Sequence, residues 1–177
     1  MGIFDRLRRA FGGETASQRD GDGRVRVTFS PWMIIGDDIA KQYDFQNLGG
    51  PGTETMVQVR CTVEMGSFGV LHHHVHFVIQ PAIVMEECYL VAFLATMDEE
   101  VESGFFPVKV AHLDGGGNLF WVEDRESARK CLAVLHACKP MQFMVLDKQD
   151  CLVKIPLEND SSYRTRFSEI QDQVSNR

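Results

Sequence analysis

The sequence predicts an α+β domain: a single antiparallel, hairpin-built sheet with one or two helices packed on it, preceded by a short amphipathic N-terminal helix. Three observations predict it. Residues 56–65, MVQVRCTVEM, alternate apolar and polar side chains, the period-two signature of a strand with one wet face. Three pairs of strand-like runs are joined by short turns such as MGSFG and DGGGN, as hairpins are. Residues 124–138 instead repeat their apolar side chains at helical spacing, between an Asp at the start and Pro140 just past the end.

The first element is MGIFDRLRRAFGG. Ile3, Phe4, Leu7, Ala10 and Phe11 fall on one helical stripe, and Asp5, Arg6, Arg8 and Arg9 take the other side. Gly12 and Gly13 end it, and the polar run ETASQRDGDG reads as a flexible linker. The domain plan is therefore a helix plus linker over 1–23 and a globular domain over 24–177. RVRVTF (24–29) is a short strand, SPW breaks it, and GDDIAKQYDF reads as a brief helix with an Asp near its start. NLGGPGTET is a loop; it lacks the GK[ST] of a phosphate-binding P-loop. Residues 56–65 and 70–79 then make the first hairpin.

Further along, Tyr89, Val91 and Phe93 favour a strand over about 87–95, and acidic DEEVESG (98–104) an exposed loop. FFPVKVAHL and NLFWV form the second hairpin. In the 124–138 helix Asp124 is the N-cap, and Ala128, Cys131, Leu132, Leu135 and Cys138 form the buried stripe. MQFMVLD and DCLVKIPL make the third hairpin around Lys148 and Gln149. A closing helix over SYRTRFSEIQDQV places Tyr163, Phe167 and Ile170 on one side.

Charge excludes one class of function. The net charge is −7, and all of it lies after residue 23, where 14 bases face 21 acids. Such a body lacks the clustered Lys and Arg that release counterions from nucleic acid. The longest apolar run, CYLVAFLA, is too short to span a membrane, and the N-terminus has no continuous apolar segment of the kind a secretory signal carries. Five cysteines, an odd number with no C-x-x-C, fit reduced, mostly buried thiols and a cytoplasmic location rather than a disulfide framework or a zinc ribbon.

Residues 70–79, VLHHHVHFVI, hold four of the six histidines. On a strand His72, His74 and His76 share one face and His73 takes the other. In the hairpin the even histidines meet Gln58, Arg60, Thr62 and Glu64, with Glu64 opposite either Val70 or His72. Two imidazoles at i and i+2 suit a zinc or other transition-metal ion, with Glu64 adding an oxygen; but three same-face positions span ~13 Å, so they do not converge unaided. A solvated sheet face is the reading preferred here. There is no G-x-S-x-G, H-E-x-x-H or G-x-G-x-x-G motif. Asp37–Asp38, Glu86–Glu87 and Glu99–Glu100 read as solvated charge, and Trp32 and Trp121 as core or rim anchors.

The functional expectation is a non-enzymatic cytoplasmic binding or adaptor domain. Ile3, Phe4, Leu7 and Phe11 would contact a protein partner or an anionic membrane surface, the latter placing the chain at the inner membrane face. The alternative is a metal-binding protein or metal-dependent enzyme using Glu64, His72, His74 and His76.

Overall fold

The computed structural model describes residues 24–83, 88–95, 105–147 and 150–177. The expected N-terminal helix and the 98–104 loop lie outside the described residues, as do Glu86–Glu87 and the turn at Lys148 and Gln149. The strands are β1 (Arg26–Phe29), β2 (Met33–Ile35), β3 (Asp38–Gln46), β4 (Glu54–Met65) and β5 (Leu71–Gln80). They continue as β6 (Cys88–Ala95), β7 (Phe105–Leu113), β8 (Gly117–Val122), β9 (Met141–Asp147) and β10 (Asp150–Leu157). Helix α1 (Arg125–His136) follows β8, and α2 (Ser162–Ser175) follows β10. The ten strands form one sheet in the order β1-β3-β4-β5-β8-β7-β6-β9-β10, with β2 beside β1 on the same edge of β3. Every pairing is antiparallel.

The sheet is curled. Three strands separate β5 from β9, about 19 Å across a flat sheet at ~4.8 Å per step. Yet the Phe77 and Phe143 rings stack with centroids 4.5 Å apart, and Phe120 meets Phe143 edge-on at 6.0 Å. The inner face of one half therefore packs against the inner face of the other. The expectation of helices covering one face is thus only part of the answer, since the sheet also covers itself. Helix α1 packs on β5, β6 and β8, and α2 on β2, β3 and β4.

Alternation decides what is inside. On β4, Val57, Val59, Cys61 and Val63 are fully buried, as are Val75, Phe77 and Ile79 on β5. The expected helix over GDDIAKQYDF is instead strand β3. Ile39, Tyr43 and Phe45 point inward at period two, and Lys41 takes the inward position between them. Lys41 is 1% exposed and satisfies its charge on Asp160, 2.8 Å away. Around it the 158–160 loop is clamped. The Tyr43 hydroxyl donates to the Glu158 carbonyl at 2.5 Å, and Trp32 Nε1 donates to Asn159 Oδ1 at 2.9 Å. Asn159 in turn donates to the Leu135 carbonyl of α1.

Helix α1 begins as expected, with Asp124 accepting from the Ser127 amide at 2.8 Å. Its stripe is rotated from the expected one. Ser127, Ala128, Cys131, Val134 and Leu135 are buried, while Leu132 and Cys138 are half-buried. At its end the helix stops at His136 and Cys138 takes a left-handed conformation at φ +53°. That step swings Cys138 off the helical register.

Two consequences are measurable. Phe77→Ala removes the ring on which the two sheet halves meet and should cost ~3–5 kcal/mol in urea unfolding. Leu135→Ala should cost ~2–5 kcal/mol and Leu132→Ala clearly less. In native protein Cys131 should react slowly with a thiol reagent and Cys138 readily; equal rates would contradict this placement of α1.

Candidate functional site

The outer face of the sheet carries the histidine row. β4 and β5 pair residue for residue, with Arg60 opposite His76, Thr62 opposite His74 and Glu64 opposite His72. This is one of the two registers open to the sequence. His72 and His74 are exposed and His76 is half-buried. β3 adds Asp38 opposite Thr62 and Gln42 opposite Gln58.

These side chains bind one another. Thr62 Oγ1 donates to Asp38 Oδ1 at 2.7 Å and lies 3.2 Å from His76 Nε2. A hydroxyl has one proton, and the shorter contact to the carboxylate takes it. His76 Nε2 must then be the donor to Thr62, which leaves its Nδ1 as an acceptor. Arg60 Nε donates to Gln58 Oε1 at 2.5 Å, and its Nη1 lies 3.4 Å from Asp38 Oδ2. The charges of Arg60 and Asp38 thus cancel locally. Gln42, Gln58, Arg60, Thr62 and His76 line a cavity of about 560 Å³ over a floor of Val78 and Leu119. It adjoins a second cavity of about 790 Å³, with Met56 and Gln80 common to both. From the sequence Asp38 reads as solvated charge. The signal missed was the polar alternation of Asp38, Gln42, Asp44 and Gln46, obscured by taking β3 for a helix.

Glu64, His72, His74 and His76 share this face but not one point. His74 Nε2 faces Glu64 at 3.4 Å, His76 Nε2 faces Thr62, and the His74 and His76 rings are 6.5 Å apart. Among the described residues no group of three or more His, Cys, Asp or Glu is placed to hold a metal ion. The contact residues expected in the N-terminal arm, Ile3, Phe4, Leu7 and Phe11, lie outside the described residues.

His73 faces the helices instead. Its ring stacks on Phe167 at 5.3 Å, and its Nε2 lies 3.3 Å from Gln171 Nε2. His136, at the end of α1, meets Phe167 edge-on at 4.6 Å and Tyr163 at 5.1 Å. Burial lowers both imidazoles below the ordinary histidine range. Repulsion from His136 adds to the effect on His73, and the Arg164 guanidinium to that on His136. His76 is also lowered, by burial first, with Asp38 pulling the other way. The buried thiols are unreactive by the same physics. Burial pushes Cys61 and Cys131 each up to about 12. A thiol held protonated at neutral pH is no nucleophile.

The three lowered histidines fix the sign of a pH effect. Each is neutral in the fold and protonates more readily in the unfolded chain, so the unfolded chain binds more protons below the ordinary value of 6.5. Stability should be full above pH 6.5 and fall as pH drops toward the lowered folded values. Urea midpoints across that window test this, and a His73→Gln/His136→Gln variant should flatten the slope. At constant neutral pH, His72→Ala and His74→Ala should each change stability by no more than ~0.5 kcal/mol. Compared with known proteins, the chain matches no family model, no curated protein and no solved structure, so its function is read from these side chains.

Proposed function

We propose that the chain is a non-enzymatic cytoplasmic binding or adaptor domain. Its N-terminal amphipathic segment attaches it to a protein partner or to an anionic membrane surface, at the inner membrane face. The observation that carries this reading is the edge of the sheet built from the strands that follow that segment in the sequence. β1 and β2 pair only with β3 among the described residues, so their other edge has no strand partner there. Val27 and Phe29 stand 43% and 48% exposed on one side of it, and Met33 and Ile35 stand 37% and 46% exposed on the other. A free edge flanked by apolar side chains is a surface suited to contact with another chain.

The chemistry described above supports binding over turnover. The buried Cys61 and Cys131 thiols are held protonated, and Asp38, Gln58, Arg60, Thr62 and His76 of the outer face are already paired with one another. Neither helix among the described residues is long and apolar enough to cross a membrane, so membrane contact in this reading is peripheral. Burying Ile3, Phe4, Leu7 and Phe11 would contribute at most ~1.5–3 kcal/mol each, less the cost of ordering the segment, which suits reversible attachment.

Removing residues 1–20 should leave the melting temperature nearly unchanged while abolishing flotation with phosphatidylserine vesicles or binding to the partner. A large loss of thermal stability would instead make the segment part of the domain. Elemental analysis of untagged protein tests the metal-binding alternative, which requires about one equivalent of a transition metal, lost on mutating His72 and His74.

A further inference from the structure

A small cavity of about 260 Å³ lies where β8 gives way to α1, against the N-terminal half of β5. Its walls include Leu71 and His72 from β5, Glu123 from the corner, and Arg125, Arg129 and Leu132 from α1. The fold opens this fork for a topological reason. β5 pairs with β8 only from His76 to Ile79, so among the described residues the edge of β5 from Leu71 to Val75 that turns away from β4 has no strand against it. Arg125 and Arg129, one helical turn apart, stand beside that unpaired edge.

Three features set this fork apart in an acidic protein. Arg125 and Arg129 are exposed and have no hydrogen-bond or ion-pair partner among the described residues, whereas Arg60, Arg166, Lys109 and Lys130 are ion-paired. Glu123, the one acid in the wall, is taken by Lys109. The His72 ring lies against Gly66, where a Cβ would come within 2.1 Å of it. Asp124 already caps α1, so the arginines rather than the helix end supply the charge.

We propose that this fork is a binding site for a small oxyanion, the phosphate group of a phosphate monoester. Two guanidinium groups one helical turn apart match the charge and fork geometry of a phosphoryl group. Backbone N–H donors along the stretch of β5 left free of β8 add to the set, and the apolar Leu71 and Leu132 border the space for the remainder of the ester. A cation is the wrong occupant for a wall carrying two arginines. The site goes beyond the adaptor reading and does not depend on the N-terminal segment.

The test uses the full chain, with inorganic phosphate as the first probe and amide and side-chain NMR signals of His72, His74, Arg125 and Arg129 as the readout. The expected result is a saturable shift at millimolar phosphate that chloride at equal ionic strength does not produce. An Arg125→Gln/Arg129→Gln variant should lose roughly tenfold in affinity for each charge-assisted bond removed, with its melting temperature unchanged because both side chains are exposed. Glycerol phosphate and phosphatidic acid vesicles, each run against the same variant, distinguish a soluble ester from a lipid headgroup. No saturable shift with any of these probes overturns the proposal, as does a shift that the double variant leaves intact.

Discussion

The contact on which the structure depends is the stack of Phe77 on Phe143. It joins strands that are far apart in the sheet, and only a folded-over sheet brings them together. Once it forms, the inner face becomes a closed interior in which Phe77, Phe120, Phe143, Ile155 and Leu157 are all but fully buried. A ten-stranded sheet left flat would have needed far more helix than α1 and α2 supply to cover one face. Curling makes two short helices sufficient. It also sorts the histidines, because the face turned inward carries His73 and the face turned outward carries His72, His74 and His76.

The helices are held by polar clamps rather than by apolar contact alone. Trp32, Lys41 and Tyr43 reach from the start of the sheet to residues 158–160, and Asn159 passes the connection to the end of α1. Arg164 then holds the His136 carbonyl with two hydrogen bonds, at 2.9 and 2.8 Å. The junction of β5, α1 and α2 therefore encloses two imidazoles whose protonation the fold resists. One set of contacts fixes where α2 lies and keeps both imidazoles partly out of water.

Much of this was legible in local pattern. The three hairpins, the strand at Cys88–Ala95, the Asp124 cap and the inward side of α2 all follow from period and turn chemistry, and the structure contains each of them. β3 was not legible because its inward row includes Lys41, a charge whose partner lies 119 residues away. No local rule anticipates Asp160. The curl was illegible for a related reason, since Phe77 and Phe143 look like any other inward aromatics until the strand order is known. At the outer face the sequence placed His72, His74, His76, Arg60, Thr62 and Glu64 together correctly. It missed Asp38, which decides where the protons are.

Proton placement bears on what the outer face can do. Asp38, Thr62 and His76 are the residue types of a nucleophilic triad, but their order is wrong for one. A triad needs the histidine between hydroxyl and carboxylate, so that the imidazole draws the hydroxyl proton while the acid steadies the ring. Here the hydroxyl lies in the middle, donates its hydrogen bond to the carboxylate, and accepts one from His76 Nε2. Thr62 is thereby held as a relay rather than activated. Asp38 also neutralises Arg60, which would otherwise stabilise a developing negative charge. The network fixes donors and acceptors in place and withholds the two features that would turn them toward covalent chemistry.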